Sequence, residues 1–132
     1  MKEQFVPYEL ALKLKELGFD EECLAFFYKE EDVIFETCSP YNANKTFNYI
    51  SAPLWQQSFD FFRELGFEFS INYHEDYLKD SKKHVYEVNL EQRGTSIYHN
   101  ITPLCGFKTY EEARLECLKK LIELVETKKD SV

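Results

Sequence analysis

The order in which helical and strand periods alternate along this chain predicts an α+β fold: an antiparallel sheet of four to five strands with three helices packed mainly on one face. Three observations predict it. Three segments place apolar residues three to four positions apart, at least four short runs are β-prone or alternate apolar with polar, and the strand-like runs are joined mostly by short polar connections that suit hairpins. The length of 132 residues fits one domain spanning 1–132, with a frayed tail at 127–132.

Taken in order, Pro7 suits the first turn of a helix. Tyr8, Leu10, Ala11, Leu14 and Leu17 then follow the helical period until Gly18 supplies a left-handed stop. Leu24-Ala25-Phe26-Phe27-Tyr28 and Val33-Ile34-Phe35-Glu36-Thr37-Cys38 are β-prone runs flanking the charged Lys29-Glu30-Glu31-Asp32, which predicts a hairpin. Residues 39–50 are rich in Asn, Tyr and turn formers and read as an ordered loop. Ser51 can cap a second helix with Pro53 in its first turn, and Leu54, Trp55, Ser58, Phe59, Phe61, Phe62 and Leu65 give it a broad apolar face ended by Gly66. Phe67, Phe69, Ile71 and Tyr73 alternate with polar residues, as do Tyr86, Val88 and Leu90, so two strands are expected about a long loop from His74 to Lys83. Thr95 to His99 offers one further short strand. Thr109 and Glu112 have capping-box spacing ahead of a third helix striped by Ala113, Cys117, Leu118, Leu121, Ile122 and Val125.

The formal charge is −8, from 24 acidic and 16 basic residues, and the cations are scattered. Direct binding to DNA or RNA needs clustered cations and is therefore disfavoured. The acidic runs Asp20-Glu21-Glu22 and Glu30-Glu31-Asp32 fit solvated turns, or mimicry of a DNA backbone. No apolar run suits a signal peptide or a membrane span, so a cytoplasmic protein is expected. Cys23, Cys38, Cys105 and Cys117 are unevenly spaced without a CxxC and read as reduced, mostly buried thiols. The 12 Phe and 9 Tyr stand against a single Met, more rings than a core of this size needs. Some of them are expected at the surface, where aromatic residues serve recognition.

Catalytic signatures are missing from the sequence: no GxSxG, no glycine-rich phosphate loop, no HExxH and no paired metal-ligand spacing. No catalytic residue, metal ligand or cofactor is assigned. His74, His84 and His99 with Cys105 could gather a zinc ion, but isolated histidines on strands and loops are usually surface residues, and His74-Glu75-Asp76 reads as a solvated loop. Residues 41–57 are richer. There Asn44, Lys45, Asn48, Tyr49, Trp55 and Gln56, with Tyr41, Asn42 and Gln57 beside them, surround a helix start. Amide side chains read the edges of a base, Tyr and Trp stack on it, and a cation with helix N–H groups meets phosphate. The same residues also fit turns and a hydrophobic staple.

Phe5-Val6-Pro7-Tyr8-Glu9-Leu10-Ala11, continuing through Leu17-Gly18-Phe19-Asp20, resembles the start of an uncharacterised family of small proteins of bacteriophages, prophages and mobile elements of gut bacteria. Ala52-Pro53-Leu54-Trp55-Gln56-Gln57-Ser58-Phe59 and Tyr110-Glu111-Glu112-Ala113-Arg114-Leu115-Glu116-Cys117-Leu118 are similar to two further signatures of that family. The resemblance implies no catalytic residue. It implies an accessory protein that blunts host immunity, by trapping a nucleotide-derived signal or by occluding a defence protein. The first expectation is therefore a non-enzymatic, homo-oligomeric sponge for a nucleotide-like small molecule in the host cytoplasm, held by Asn44, Lys45, Asn48, Tyr49, Trp55 and Gln56. The alternative is an acidic inhibitor or adaptor that covers a host protein.

Overall fold

The computed structural model describes residues 2–28, 33–76, 83–93 and 105–130. Among these, three α-helices and two three-stranded antiparallel sheets make an α+β fold. The order is α1 (Tyr8–Glu16), β1 (Cys23–Tyr28), β2 (Ile34–Tyr41), β3 (Tyr49–Ser51), α2 (Trp55–Glu64), β4 (Phe67–Asp76), β5 (Lys83–Gln92), β6 (Cys105–Phe107) and α3 (Tyr110–Asp130). The chain falls into two compact units, residues 1–61 with 124–132, and residues 62–123.

In the first unit, α1 ends as its sequence predicts. Gly18, at φ +97°, donates to Lys15 O at 3.1 Å, and Phe19 N donates to Leu14 O at 2.9 Å. This is the Schellman pattern, and the Leu14 and Phe19 side chains that accompany it are both buried. Burial alternates along β1, with Cys23, Ala25 and Phe27 inside and Leu24, Phe26 and Tyr28 outside. Strand β1 is central in the order β2-β1-β3, paired antiparallel to both neighbours. The hairpin of β1 and β2 is as expected, and its connection, 29–32, lies outside the described residues.

Residues 39–50 depart from the expected loop. Strand β2 continues to Tyr41, a 3₁₀ turn follows at Ala43–Lys45, and β3 begins at Tyr49. Pro40, which cannot donate, is tolerated because β2 is an edge strand, and the register skip opposite Cys23 and Ala25 takes up residues 37–40. Ser51 does not cap α2, because it belongs to β3 and is occupied there: its Oγ accepts from Asn44 N at 3.1 Å. The helix start is held instead by Gln57, whose Oε1 accepts from Leu54 N at 3.0 Å, the reciprocal half of a capping box.

The second unit opens at the end of α2, where Gly66 (φ +102°) donates to Arg63 O at 3.0 Å. Strands β4 and β5 pair from Phe67↔Gln92 to Asp76↔Lys83, so the ladder runs into the stretch expected to be loop, and β6 adds to β5. The expected strand at Thr95 to His99 lies outside the described residues. Among the described residues, Phe62, Phe67, Val88, Leu90, Ala113, Cys117, Leu118, Leu121 and Ile122 are this unit's buried apolar side chains. Each fully buried large side chain stabilises by roughly 1.5–3 kcal/mol. Thr109 Oγ1 accepts from Glu112 N at 3.1 Å, the predicted cap, and α3 continues through residues 127–130.

The expected sheet of four to five strands is thus corrected to two sheets of three. The reason is local. Residues 42–51 return the chain to the far edge of β1, so the first sheet is complete before α2, and β4 starts another.

Candidate functional site

Asn44 is a clamp. Its Nδ2 donates to Phe19 O at 2.9 Å, and its Oδ1 accepts from Ser51 N at 2.8 Å. Together with the bond from its own N–H to Ser51 Oγ, this fastens the 3₁₀ turn to β3 and to the end of α1. Each such bond contributes about 1 kcal/mol net, and leaving a buried partner unpaired costs more. Lys15 fixes the same turn from α1, its Nζ donating to Tyr49 O at 2.8 Å and to Thr46 O at 3.4 Å. Lys45 and Asn48 are exposed, and Tyr49 is half-buried in β3. The structure therefore gathers Asn44, Lys45, Asn48 and Tyr49 into one turn and strand.

Trp55 and Gln56 begin α2. The Trp55 Nε1 donates to Glu3 O at 3.0 Å, and its ring centroid lies 6.4 Å from that of Phe59. Gln56 donates from Nε2 to Asp60 Oδ1 at 2.9 Å, one helical turn on. Gln57 is held at both ends of its amide, accepting from Leu54 N and donating to Glu22 O at 2.9 Å. Asn44 and Gln56, expected to read a base, and Trp55, expected to stack on it, thus all make hydrogen bonds inside the chain.

The more prominent surface lies on the outer face of the β2-β1-β3 sheet. Directly paired residues share a face, so Phe35 lies beside Phe26 and Tyr49 beside Tyr28. The rings form a continuous row: Phe35 to Phe26 at 5.6 Å, Phe26 to Tyr49 at 4.8 Å, Tyr49 to Tyr28 at 5.7 Å between centroids. Tyr28 is 41% exposed and Phe35 43%, and Leu24 on the same face of β1 is 44% exposed. These are large apolar groups that the fold leaves in water.

Charge around the row is one-sided. Residues 1–61 contain 11 Asp and Glu against 5 Lys, a net −6 of the chain's −8. Asp20 and Glu22 are exposed just ahead of β1, and Glu36, which pairs with Ala25, is exposed on the opposite face of β2 from Phe35. Lys45 lies four residues before Tyr49 in sequence, and Lys15 reaches the Tyr49 carbonyl oxygen from α1.

The thiols that titrate abnormally are unreactive ones. Burial, with the nearby Glu21 charge adding to it and a bond with Ser51 opposing it, pushes the Cys23 thiol up to about 12. Burial likewise pushes Cys117 up to about 12 against the opposing charge of Arg63. Both stay protonated at neutral pH, and thiols in that state are poor nucleophiles. Cys38, in contrast to the mostly buried set expected, is exposed on β2. Among the described residues, no group of three or more His, Cys, Asp and Glu is placed to hold a metal ion, and no helix is long and apolar enough to cross a membrane.

Phe26, Tyr28 and Phe35 were not distinguishable as site residues in the sequence. The run from Leu24 to Tyr28 is apolar throughout, so strand alternation alone does not say which half faces the core. The surplus of rings over a core's needs was the available signal, and it carried no positions. Comparison of the chain with known protein families, curated proteins and solved structures returns no match.

Proposed function

We propose that this chain is a non-enzymatic binding protein that covers a basic partner protein with the outer face of its β2-β1-β3 sheet. The observation that carries this reading is the row Phe35, Phe26, Tyr49 and Tyr28, partly exposed and set in a stretch of net negative charge. Aromatic anchors supply most of the energy of many interfaces, while surrounding charge of one sign speeds encounter with the opposite sign. In the light of the resemblance to small phage and prophage proteins, the partner in this reading is a host defence protein, met in the host cytoplasm.

A second reading, capture of a nucleotide-derived immune signal by an oligomer of this chain, rests on Tyr49 and Lys45. A base would stack on the Tyr49 ring and phosphate would meet the exposed ammonium. The internal bonds of Asn44, Trp55 and Gln56 and the acidity of residues 1–61 rank it second.

Both readings meet one experiment. The protein and its Tyr28→Ser/Phe35→Ser variant, matched in circular dichroism and melting temperature, are immobilised and exposed to host lysate at low and high salt. The expected result is a basic protein retained by the parent, released by salt and lost from the variant. Identical retention by both proteins overturns the proposal. A nucleotide released when the purified parent is denatured, with no protein distinguishing the two baits, establishes the second reading in its place.

A further inference from the structure

The row of rings has a chemical preference that charge alone would not give. All three arginines of the chain, Arg63, Arg93 and Arg114, lie beyond residue 61, and residues 1–61 have lysine as their only basic side chain. In the second unit two of those arginines lie over rings of their own, Arg63 over Phe69 at 4.4 Å and Arg114 over Tyr110 at 5.9 Å from guanidinium carbon to centroid. The row on the first sheet is built of the same ring types, with no guanidinium in its unit to cover it.

We infer that the outer face of the β2-β1-β3 sheet selects arginine over lysine, its occupant being an arginine-bearing segment of the partner. This rests on the reading of that face as a protein-binding surface. The argument is one of complementarity in charge and shape. A guanidinium is planar, more weakly hydrated than an ammonium, and stacks flat on an aromatic face while its edge N–H groups still reach carboxylates. The successive centroid spacings of 5.6, 4.8 and 5.7 Å give a surface that such planes can cover. The negative charge that draws a guanidinium to this face is the net −6 of residues 1–61 as a whole. Lysine brings the same charge without the plane.

The test uses two fluorescein-labelled peptides, one of alternating Arg and Ser and one of alternating Lys and Ser, equal in length and charge. Binding to the intact protein is followed by anisotropy across a salt series. The arginine peptide is expected to bind about threefold to tenfold more tightly, the difference between two or three stacked guanidiniums and the same number of ammoniums, which also gain from lying over rings. That preference should vanish in Tyr28→Ser/Phe35→Ser and survive in Tyr110→Ser, whose ring is comparably exposed in the other unit. Equal binding of the two peptides, or a preference that survives Tyr28→Ser/Phe35→Ser, overturns the inference. If neither peptide binds, the inference falls as well. In each of these cases the lysate experiment decides separately whether the face still binds a protein, so the two failures are distinguishable.

Discussion

On β4 and β5 the residues facing away from the buried side are Glu68, Ser70, Asn72, Glu87, Asn89 and Glu91, while on β1, β2 and β3 they are Leu24, Phe26, Tyr28, Phe35 and Tyr49. Both sheets have three strands, both are antiparallel, and the other side carries buried residues in each, Phe67, Val88 and Leu90 in one and Cys23, Ala25, Phe27 and Ile50 in the other. A sheet that only has to fold can afford a polar wet face, as β4 and β5 have. Cross-strand aromatic pairs do add roughly 0.2–1 kcal/mol each. That is less than the exposed apolar surface would gain by being covered, which is what supports the proposed binding role of the four rings.

The comparison breaks first at the inside and outside of a single strand. Phe27→Ala empties a position that is 1% exposed and should cost about 3–5 kcal/mol in chemical denaturation. Tyr28→Ser, one residue on, should cost under about 1 kcal/mol, the scale of one cross-strand pair. Comparable losses from the two would make the outer rings a structural layer and remove the reason for a binding face. Between these limits lies Asn44→Ala, which strands the Phe19 carbonyl and the Ser51 amide together and should cost about 2–3 kcal/mol. Lys45→Ala, beside it and exposed, should leave stability within about 0.5 kcal/mol of the parent.

Among the described side chains each unit has a buried thiol, Cys23 in one and Cys117 in the other, and here the two should behave alike. Below about pH 9 the thiol is neutral in both folded and unfolded chains and adds no pH dependence. As pH rises from the ordinary value of 9.0 towards about 12, the unfolded chain gives up the proton and the folded chain keeps it. Stability should therefore fall with rising pH, by about 1.4 kcal/mol per pH unit for each thiol. Denaturation midpoints of the parent, Cys23→Ala and Cys117→Ala between pH 8 and about 10.5 measure this. Each variant should lose stability at every pH yet flatten the slope. In alkylation at neutral pH followed by peptide mapping, exposed Cys38 should react while Cys23 and Cys117 stay protected until the chain unfolds.

The sequence made the helices and the first hairpin legible because those signals are local: Gly18 and Gly66 as stops, Thr109 as a cap, and the stripe from Ala113 to Ile122. Strand β3 was not legible, since Tyr49-Ile50-Ser51 is short and follows a turn-rich stretch. It is a strand because β1 offers an edge and Asn44 holds Ser51 against the turn. Strand β6 was missed for a similar reason, being three residues long with Gly106 at φ +90° in the middle. The Asn-rich signal at 41–57 marked a real feature, although Asn44 makes its bonds inward. The row Phe35, Phe26, Tyr49 and Tyr28 required the register of three strands, which periodicity within one strand does not supply.

The smallest effect tests the polar face. Glu68 and Glu91 are direct cross-strand partners, so two like charges stand opposite each other, and Arg93 meets Glu68 with Nε at 3.5 Å from Oε1. The Arg93 and Glu68 side chains are 57% and 48% exposed, so water and salt screen both the attraction and the repulsion. Each is then worth about 0.2–1 kcal/mol with opposite sign. Glu68→Gln removes both together and should change stability by less than about 0.5 kcal/mol, whereas Glu91→Lys removes the repulsion and adds a second attraction, for a gain of about 0.5–1 kcal/mol at low salt. Urea denaturation at low and high ionic strength measures both. The Glu91→Lys gain should shrink as salt is added, and a loss of stability there would mean that carboxylates on this face are held by something other than their cross-strand neighbours. The same pair of changes should leave peptide binding to the β2-β1-β3 face untouched, because the affinity proposed for that face comes from its rings.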